Sequence, residues 1–249
     1  MSLFKPSGAT FALNSPSGLR QFKSLIFRFA NQRNSCLGNN SLLTRGYGQL
    51  ATDIDSDMIL REKEKRLKQI YERFERDVRE FKKDAICKIG CTYCCTEVGD
   101  VDTITLEGAI IRERIKSFPQ SVKRHVKNKI AQNRLEKQEA KIVRCPFLKE
   151  DETCMIYDIR PFSCRLLYSI RECRGRGPTV HRQAKELAEQ AVKEIQRIDD
   201  TGYSGHLSFI LHLLDRPGFM KFYLSGGFDP ASLSEFGKAH RLVINRFAK

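Results

Sequence analysis

The chain has 249 residues, 41% of them hydrophobic, which is enough for one sizeable core with appendages and too apolar for wholesale disorder. No run approaches 18 consecutive apolar residues, so hydropathy gives no membrane span. The formal charge of +14 raises the question of a nucleic-acid partner, but no recognisable nucleic-acid motif accompanies it and that reading is set aside.

In chain order, residues 1–52 come first and differ from the rest. They are rich in Ser, Asn and Gly, contain Pro6 and Pro16, and precede the first acidic residue, Asp53. Their bases are Lys5, Arg20, Lys23, Arg28, Arg33 and Arg45; without them 38 basic residues face 30 acidic ones, a net +8. Such a stretch reads as a leader or a disordered tail, or as sequence ahead of a start at Met58. The expected location is cytoplasmic, or an organellar matrix if residues 1–52 are a presequence. Cys36 falls in this segment and is excluded from the fold.

From Asp57 onward Leu67, Ile70, Tyr71, Phe74, Val78, Phe81 and Ala85 recur at three- and four-residue steps. This predicts an amphipathic helix, capped by Ser56 or Asp57, that delivers the chain into Cys87. Four thiols follow within nine residues, as Cys87-x3-Cys91-x2-Cys94-Cys95, with Gly90 as a turn inside the loop. Thr105-Leu-Glu107 predicts a helix start, with Ala109, Ile110, Ile111 and Ile115 as its apolar residues and an end before Pro119. A more polar helix is expected from about Ser121 to Ala140, with Val122, Val126, Ile130 and Leu135 as its stripe.

A second batch of cysteines breaks the helical pattern. Cys145-Pro146 and Cys154-Met-Ile-Tyr157 flank the polar turn 149–153, which predicts a small hairpin. Pro161 suits the first position of a helix and would put Cys164 in its first turn, where the dipole favours a thiolate. Around it Arg160, Arg165, Arg171, Arg174, Arg176 and Arg182 are relieved only by Glu172. Ala184, Leu187, Ala191, Ile195 and Ile198 mark a long helix, and 207–214 a short apolar one that reads first as core and second as a partner surface with Phe219, Phe222 and Tyr223. Pro217-Gly218 breaks the chain and Asp229-Pro230 opens a last helix. The predicted fold is mainly α: a helical domain enclosing an irregular cysteine-rich metal-binding module with at most a small hairpin. Its expected limits are 57–225, with a motif core at 85–170 and a helical extension at 226–249.

Nine cysteines are an odd number, and no apolar segment with a cleavage site introduces them. Both facts favour metal-held thiolates in a reducing compartment over a disulfide framework. Neighbours such as Cys94 and Cys95 do not bridge easily, but both can bind metal. The first triplet also matches the cluster loop of radical S-adenosylmethionine enzymes. Those enzymes set the loop after the first strand of a β/α barrel, whereas here a charged helix precedes it.

Taken in order, Cys87, Cys91, Cys94, Cys95, Cys145, Cys154, Tyr157, Arg160, Pro161, Cys164 and Arg165 resemble the pattern of the YkgJ-like family of zinc- or iron-chelating cysteine-cluster proteins. The resemblance covers about residues 85–170. It implies metal binding by Cys87, Cys91, Cys94, Cys95, Cys145, Cys154 and Cys164. A flagellin lysine methylase shares the pattern, which supplies an enzyme alternative: a metal-dependent modification reaction with S-adenosylmethionine.

Seven thiols exceed one tetrahedral zinc site and one four-iron cluster. Four could hold a [4Fe–4S] cluster while the others complete the shell, serve a second metal or stay free. A set without histidine favours an iron–sulfur cluster, with zinc as the alternative. Neither His125 nor His181 is assigned. Arg160 and Arg165 read as donors to the site from behind the ligands, or as ion pairs with Asp158 or a helix carboxylate. Tyr157 is expected to pack against the module, and Cys173 reads as an ordinary free thiol. The expected role is structural or electron-transferring, with a protein or redox partner. Gly175, Gly177, Gly226 and Gly227 read as turns rather than as a nucleotide loop.

Overall fold

A computed structural model describes residues 10–12, 49–88, 90–98, 101–140, 142–173 and 175–248. The expected separateness of Cys36 falls on residues outside that set. The fold is mainly helical. Helix α1 spans Gln49–Asp77, α2 Thr105–Ser117, α3 Gln120–Glu139, α4 Phe162–Leu166 and α5 Arg182–Ile198. The carboxy-terminal part adds α6 (Leu207–Leu214), α7 (Phe219–Leu224) and α8 (Ser234–Ala239). Helix α1 starts before Ser56 and Asp57, which therefore lie inside it rather than at a cap. It also stops short of Phe81 and Ala85, and a single 3-10 turn, Glu80–Lys82, leads towards the cysteines instead.

Two apolar clusters organise these helices. In the first, Leu67, Ile70, Phe74 and Val78 of the α1 region meet Ala184, Ala188, Ala191 and Ile195 of α5. The alanines let the two helices approach closely. In the second, Ala109, Ile111 and Ile115 of α2 pack against Leu207, Ile210, Leu211 and Leu214 of α6. The apolar stretch 207–214 is thus core and not a partner surface. Gly108 belongs to this contact: a Cβ there would stand 2.8 Å from Leu214 Cδ1 and 2.9 Å from Ile210 Cγ2. The stripe of α3 differs from expectation in one place. Leu135 is 51% exposed while Asn133 is buried, because the Asn133 amide donates to the Arg144 carbonyl at 2.7 Å.

A small antiparallel sheet was not legible in the sequence. Strands β2 (Asp102–Ile104), β4 (Tyr203–His206) and β5 (Val243–Ile244) pair in the order β2-β4-β5, with Thr103 opposite Gly205 and Tyr203 opposite Ile244. Gly205 is required because a Cβ would fall 2.4 Å from Leu242 Cδ2. A second pair joins β1 (Thr10–Ala12) to β3 (Thr179–His181). Strand β5 is followed by Asn245, whose side-chain amide donates to Asp199, so the end of the chain packs back on the body of the protein.

Two buried carboxylates hold the start of α2. Glu107 is 4% exposed and accepts four hydrogen bonds: from the Tyr71 hydroxyl, the Thr103 hydroxyl (2.9 Å), the Ile104 N–H (3.0 Å) and the Phe162 N–H (2.7 Å). Asp199 accepts the Leu106 N–H at 3.0 Å, the Asn245 amide at 3.1 Å and the Tyr223 hydroxyl. Burial pushes the Asp199 carboxyl up to about 7, against the hydrogen bonds from Tyr223 and Leu106 that favour its charged form.

Both carboxylates generate tests. Replacing Glu107 by Ala leaves two backbone N–H groups and two hydroxyls without their acceptor in the interior. We expect a loss of roughly 3 kcal/mol or more in chemical denaturation, and a loss below about 1 kcal/mol would refute the role. For Asp199 the folded form binds its proton more tightly than the unfolded chain, whose carboxyl titrates near 4. Its contribution is therefore full below about pH 4 and is lost as pH rises through about 7. The stability of wild type minus that of Asp199→Asn should fall by a few kcal/mol over this window. A difference that stays flat with pH would refute it.

Candidate metal centre

The first limb of the site is shaped by the loop after α1. The Ile86 N–H donates to the Ser169 carbonyl at 2.9 Å, and the Ser169 N–H donates to Cys87 Sγ at 3.3 Å. Gly90 reverses the chain at φ +89°, the turn expected from its position, and the Cys91 N–H returns to the Lys88 carbonyl. The chain then winds into a single π-helical turn, Cys94–Val98, opened by bonds from the N–H groups of Cys95 (2.7 Å) and Thr96 (3.1 Å) to the Thr92 carbonyl.

The second limb is the expected hairpin. Leu148 and Cys154 form an antiparallel bridge, flanked by bonds from Lys149 N–H to the Thr153 carbonyl and from Met155 N–H to the Phe147 carbonyl, both 2.9 Å. The limbs join where the Cys145 N–H donates to the Cys95 carbonyl at 2.8 Å. Phe147 and Ile156 anchor the hairpin in the second apolar cluster, while Phe162, Leu166 and Tyr168 anchor the segment after it in the first. Pro161 precedes α4 rather than opening it, and the Cys164 N–H donates to its carbonyl at 3.0 Å.

These backbones sort the thiols into two groups. Cys87 and Cys91 are hydrogen-bonded to each other, and Cys173 and Cys94 lie within electrostatic range of both. Cys173 also contacts the Ser169 hydroxyl. In the second group the Cys145 thiol is hydrogen-bonded to Cys95, and Cys164 lies within range of Cys95, Cys145 and Cys154. The groups adjoin at Cys94 and Cys95, which lie within electrostatic range of each other. They differ in setting. Cys87 and Cys91 are exposed, whereas Cys145, Cys154 and Cys164 pack against the second apolar cluster. None of the eight described cysteines forms a disulfide.

Electrostatics describe a set of acids crowded together. Burial raises the thiols of Cys87, Cys94, Cys154 and Cys173, and each group's thiols raise one another further. Cys164 is pushed up to about 12 by burial and by Cys95 and Cys154, so the expected dipole effect of its helix, five residues long, does not prevail. Cys95 goes the other way, lowered by the bond from Cys145 and by the Arg144 guanidinium, while Cys145 rises in return. Soft thiols that cannot all ionise together are what a bound cation would deprotonate, since a metal inverts the local cost of negative charge. The donor set therefore fits zinc or iron. Among the described residues no three Cys, His, Asp or Glu side chains yet stand close enough to ligate one ion. The thiols are gathered but not closed.

The arginines are held by other groups. Arg160 stacks over the Tyr157 ring at 4.0 Å, donates to the Tyr157 carbonyl at 3.0 Å and reaches Glu75 of α1 at 3.7 Å. It also lowers the Cys154 thiol through space. Arg165 donates to the carbonyls of Arg160 (3.2 Å) and Asp158 (2.9 Å) and lies over the Tyr71 ring. Asp158 itself pairs with Arg114 at 2.6 Å rather than with Arg160. Tyr157 is 64% exposed, so it supports an arginine and is not packed into the module. The His181 ring lies against Phe81, with centroids 5.3 Å apart and the planes tilted by 33°.

The partners of Cys173, Ser169, Arg144 and Glu107 were not legible in the sequence. A serine four residues before a cysteine carries no motif, and Glu107 offered only a helix-start signal. The thiol of Cys173 was the one visible sign, and its place beside Cys87 depends on the fold.

Residues 86–198 match the family model described as "Putative zinc- or iron-chelating domain", CxxCxxCC. The first spacing here is one residue longer than that name, with three residues between Cys87 and Cys91. Comparison with curated proteins and with solved structures gave no significant match. Over residues 86–198 the chain is thus similar to the zinc- or iron-chelating CxxCxxCC domain.

Proposed function

We propose that this protein is a metal-binding protein whose cysteines hold an iron–sulfur cluster, which staples the two limbs to the helices. The observation that carries this reading is a set of eight free thiols without a histidine among them, three of which, Cys145, Cys154 and Cys164, pack against the second apolar cluster. Thiolate-only sites suit iron–sulfur clusters and zinc alike. A set of eight free thiols without a histidine exceeds one zinc tetrahedron and favours the cluster. Little apolar surface lies within the loop 87–98 itself, where only Val98 is buried among the described residues, so metal would contribute to its folding directly.

Among the described residues the glycines do not form the nucleotide loop that an enzyme acting with S-adenosylmethionine could use. Gly175, Gly177 and Gly226 sit at φ +77°, +79° and +75°, in turns and not ahead of a helix as a nucleotide loop would require. No helix among the described residues is long and apolar enough to cross a membrane.

Anaerobically purified full-length protein should be brown, with iron and acid-labile sulfide and broad absorption near roughly 400 nm. Colourless folded protein containing stoichiometric zinc would overturn the iron–sulfur reading. Chelation should lower the helical circular dichroism and the Tm; metal loss without either change would remove the structural role.

A further inference from the structure

Beyond the presence of metal, the arrangement of the thiols gives a count. We infer that the domain holds two separate four-thiolate sites, an outer one of Cys87, Cys91, Cys94 and Cys173 and an inner one of Cys95, Cys145, Cys154 and Cys164. The inference rests on the metal-binding reading above and deepens it, because it adds a ligand and divides the set.

Three observations carry the division. First, Cys94 and Cys95 are consecutive in one π-helical turn, where successive side chains leave the axis in different directions. Cys94 lies within electrostatic range of Cys87, Cys173 and Cys91 as well as of Cys95, while the Cys95 thiol is bonded to Cys145 and within range of Cys154 and Cys164. A single site would need both thiols to aim at one point. Second, Ser169 binds the two ends of the outer group together. Its carbonyl accepts the Ile86 N–H, its own N–H donates to Cys87 Sγ, and its hydroxyl meets Cys173. The same hydroxyl accepts the Thr179 N–H at 2.9 Å and donates to the Arg171 carbonyl, which fixes the loop carrying Cys173. Cys173 is thereby held near Cys87 and Cys91. Third, the inner group closes on a different scaffold, through the Cys95–Cys145 backbone bond, the Leu148–Cys154 bridge and the Glu107 bond to Phe162, two residues before Cys164.

The two sites differ in what surrounds them. The inner thiols rest on the second apolar cluster, with the Arg144 and Arg160 guanidiniums in electrostatic range of Cys95 and Cys154. That is the setting of a metal that holds a fold. The outer site presents Cys87 and Cys91 to solvent, so small reagents reach its ligands directly. The outer metal is the one to exchange first.

The test is metal stoichiometry on full-length protein, measured as iron, zinc and labile sulfide per chain, alongside native alkylation mapped by mass spectrometry. Wild type should hold two clusters or ions and protect the eight described thiols. Cys173→Ser and Cys91→Ser should each lose half of the metal and retain the helical signal. Cys154→Ser should lose the other half. Where that inner variant fails to fold, graded chelation of wild type replaces it: Cys87, Cys91, Cys94 and Cys173 should become reactive together, before the inner four. One site per chain, lost equally in Cys91→Ser and Cys154→Ser, would overturn the division while leaving metal binding intact. Full metal retention in Cys173→Ser would overturn the outer assignment. Wild type without any metal would overturn the metal-binding reading and this inference together.

Discussion

A carboxylate taken out of water is tolerated only when hydrogen bonds replace its hydration, and Glu107 is that case in this protein. Its two oxygens receive four donors from three parts of the chain: Tyr71 on α1, Thr103 and Ile104 at the end of β2, and Phe162 at the start of α4. Few other side chains touch so many elements. Helix α1 supplies one wall of the first apolar cluster, β2 the edge of the three-stranded sheet, and α4 carries Cys164. The carboxylate therefore sets the distance between the helical body and the cysteine limbs. Its geometry also explains why α2 starts where it does, since one oxygen occupies the Ile104 N–H that the helix leaves unbonded.

Asp199 acts beside it with a different consequence. It takes the Leu106 N–H, one residue before Glu107, and through Tyr223 and Asn245 it gathers α7 and the end of the chain. Two acidic side chains thus converge on one helix start. Their mutual repulsion adds to the burial that raises the Asp199 carboxyl. Gly202 belongs to the same knot, because a Cβ there would stand 2.4 Å from Asp199 Oδ2. Specificity in this region comes from polar groups with a single set of partners, while the apolar clusters on either side supply most of the burial.

What was legible in the sequence follows the length of each signal. Helices α2, α3, α5 and α6 lie within a few residues of expectation, because their apolar residues repeat over two or more turns or, in α6, fill the segment almost completely. The sheet was hidden because β2, β4 and β5 are only two to four residues long, too short for an alternating pattern to register. Two of its strands meet across about a hundred residues of chain, a distance that local pattern cannot bridge. In α3 the stripe misled at Leu135 because the deciding partner of Asn133, the Arg144 carbonyl, belongs to another segment. The hairpin at 145–157 and the turn at Gly90 could be read because turn chemistry is local.

The cysteines themselves show the same limit from the other side. Spacing identified which of them act together in sequence, and so it joined Cys94 to Cys95 and left out Cys173. In space Cys94 neighbours Cys87, Cys91 and Cys173 as well as Cys95, and Ser169 lies beside both Cys87 and Cys173. The basic residues near the second batch divide likewise. Glu75, reached by Lys82 at 2.9 Å, Arg160 at 3.7 Å and Arg165 at 4.0 Å, collects part of the charge that the sequence left unrelieved. Arg165 is held by carbonyls and a tyrosine ring and acts as a brace for the segment 158–165. Arg160 keeps a field on Cys154 while it braces the same segment. A residue that both holds a loop and bears on a ligand's charge cannot be assigned from a motif, since the motif records its presence and the fold decides which partner it faces.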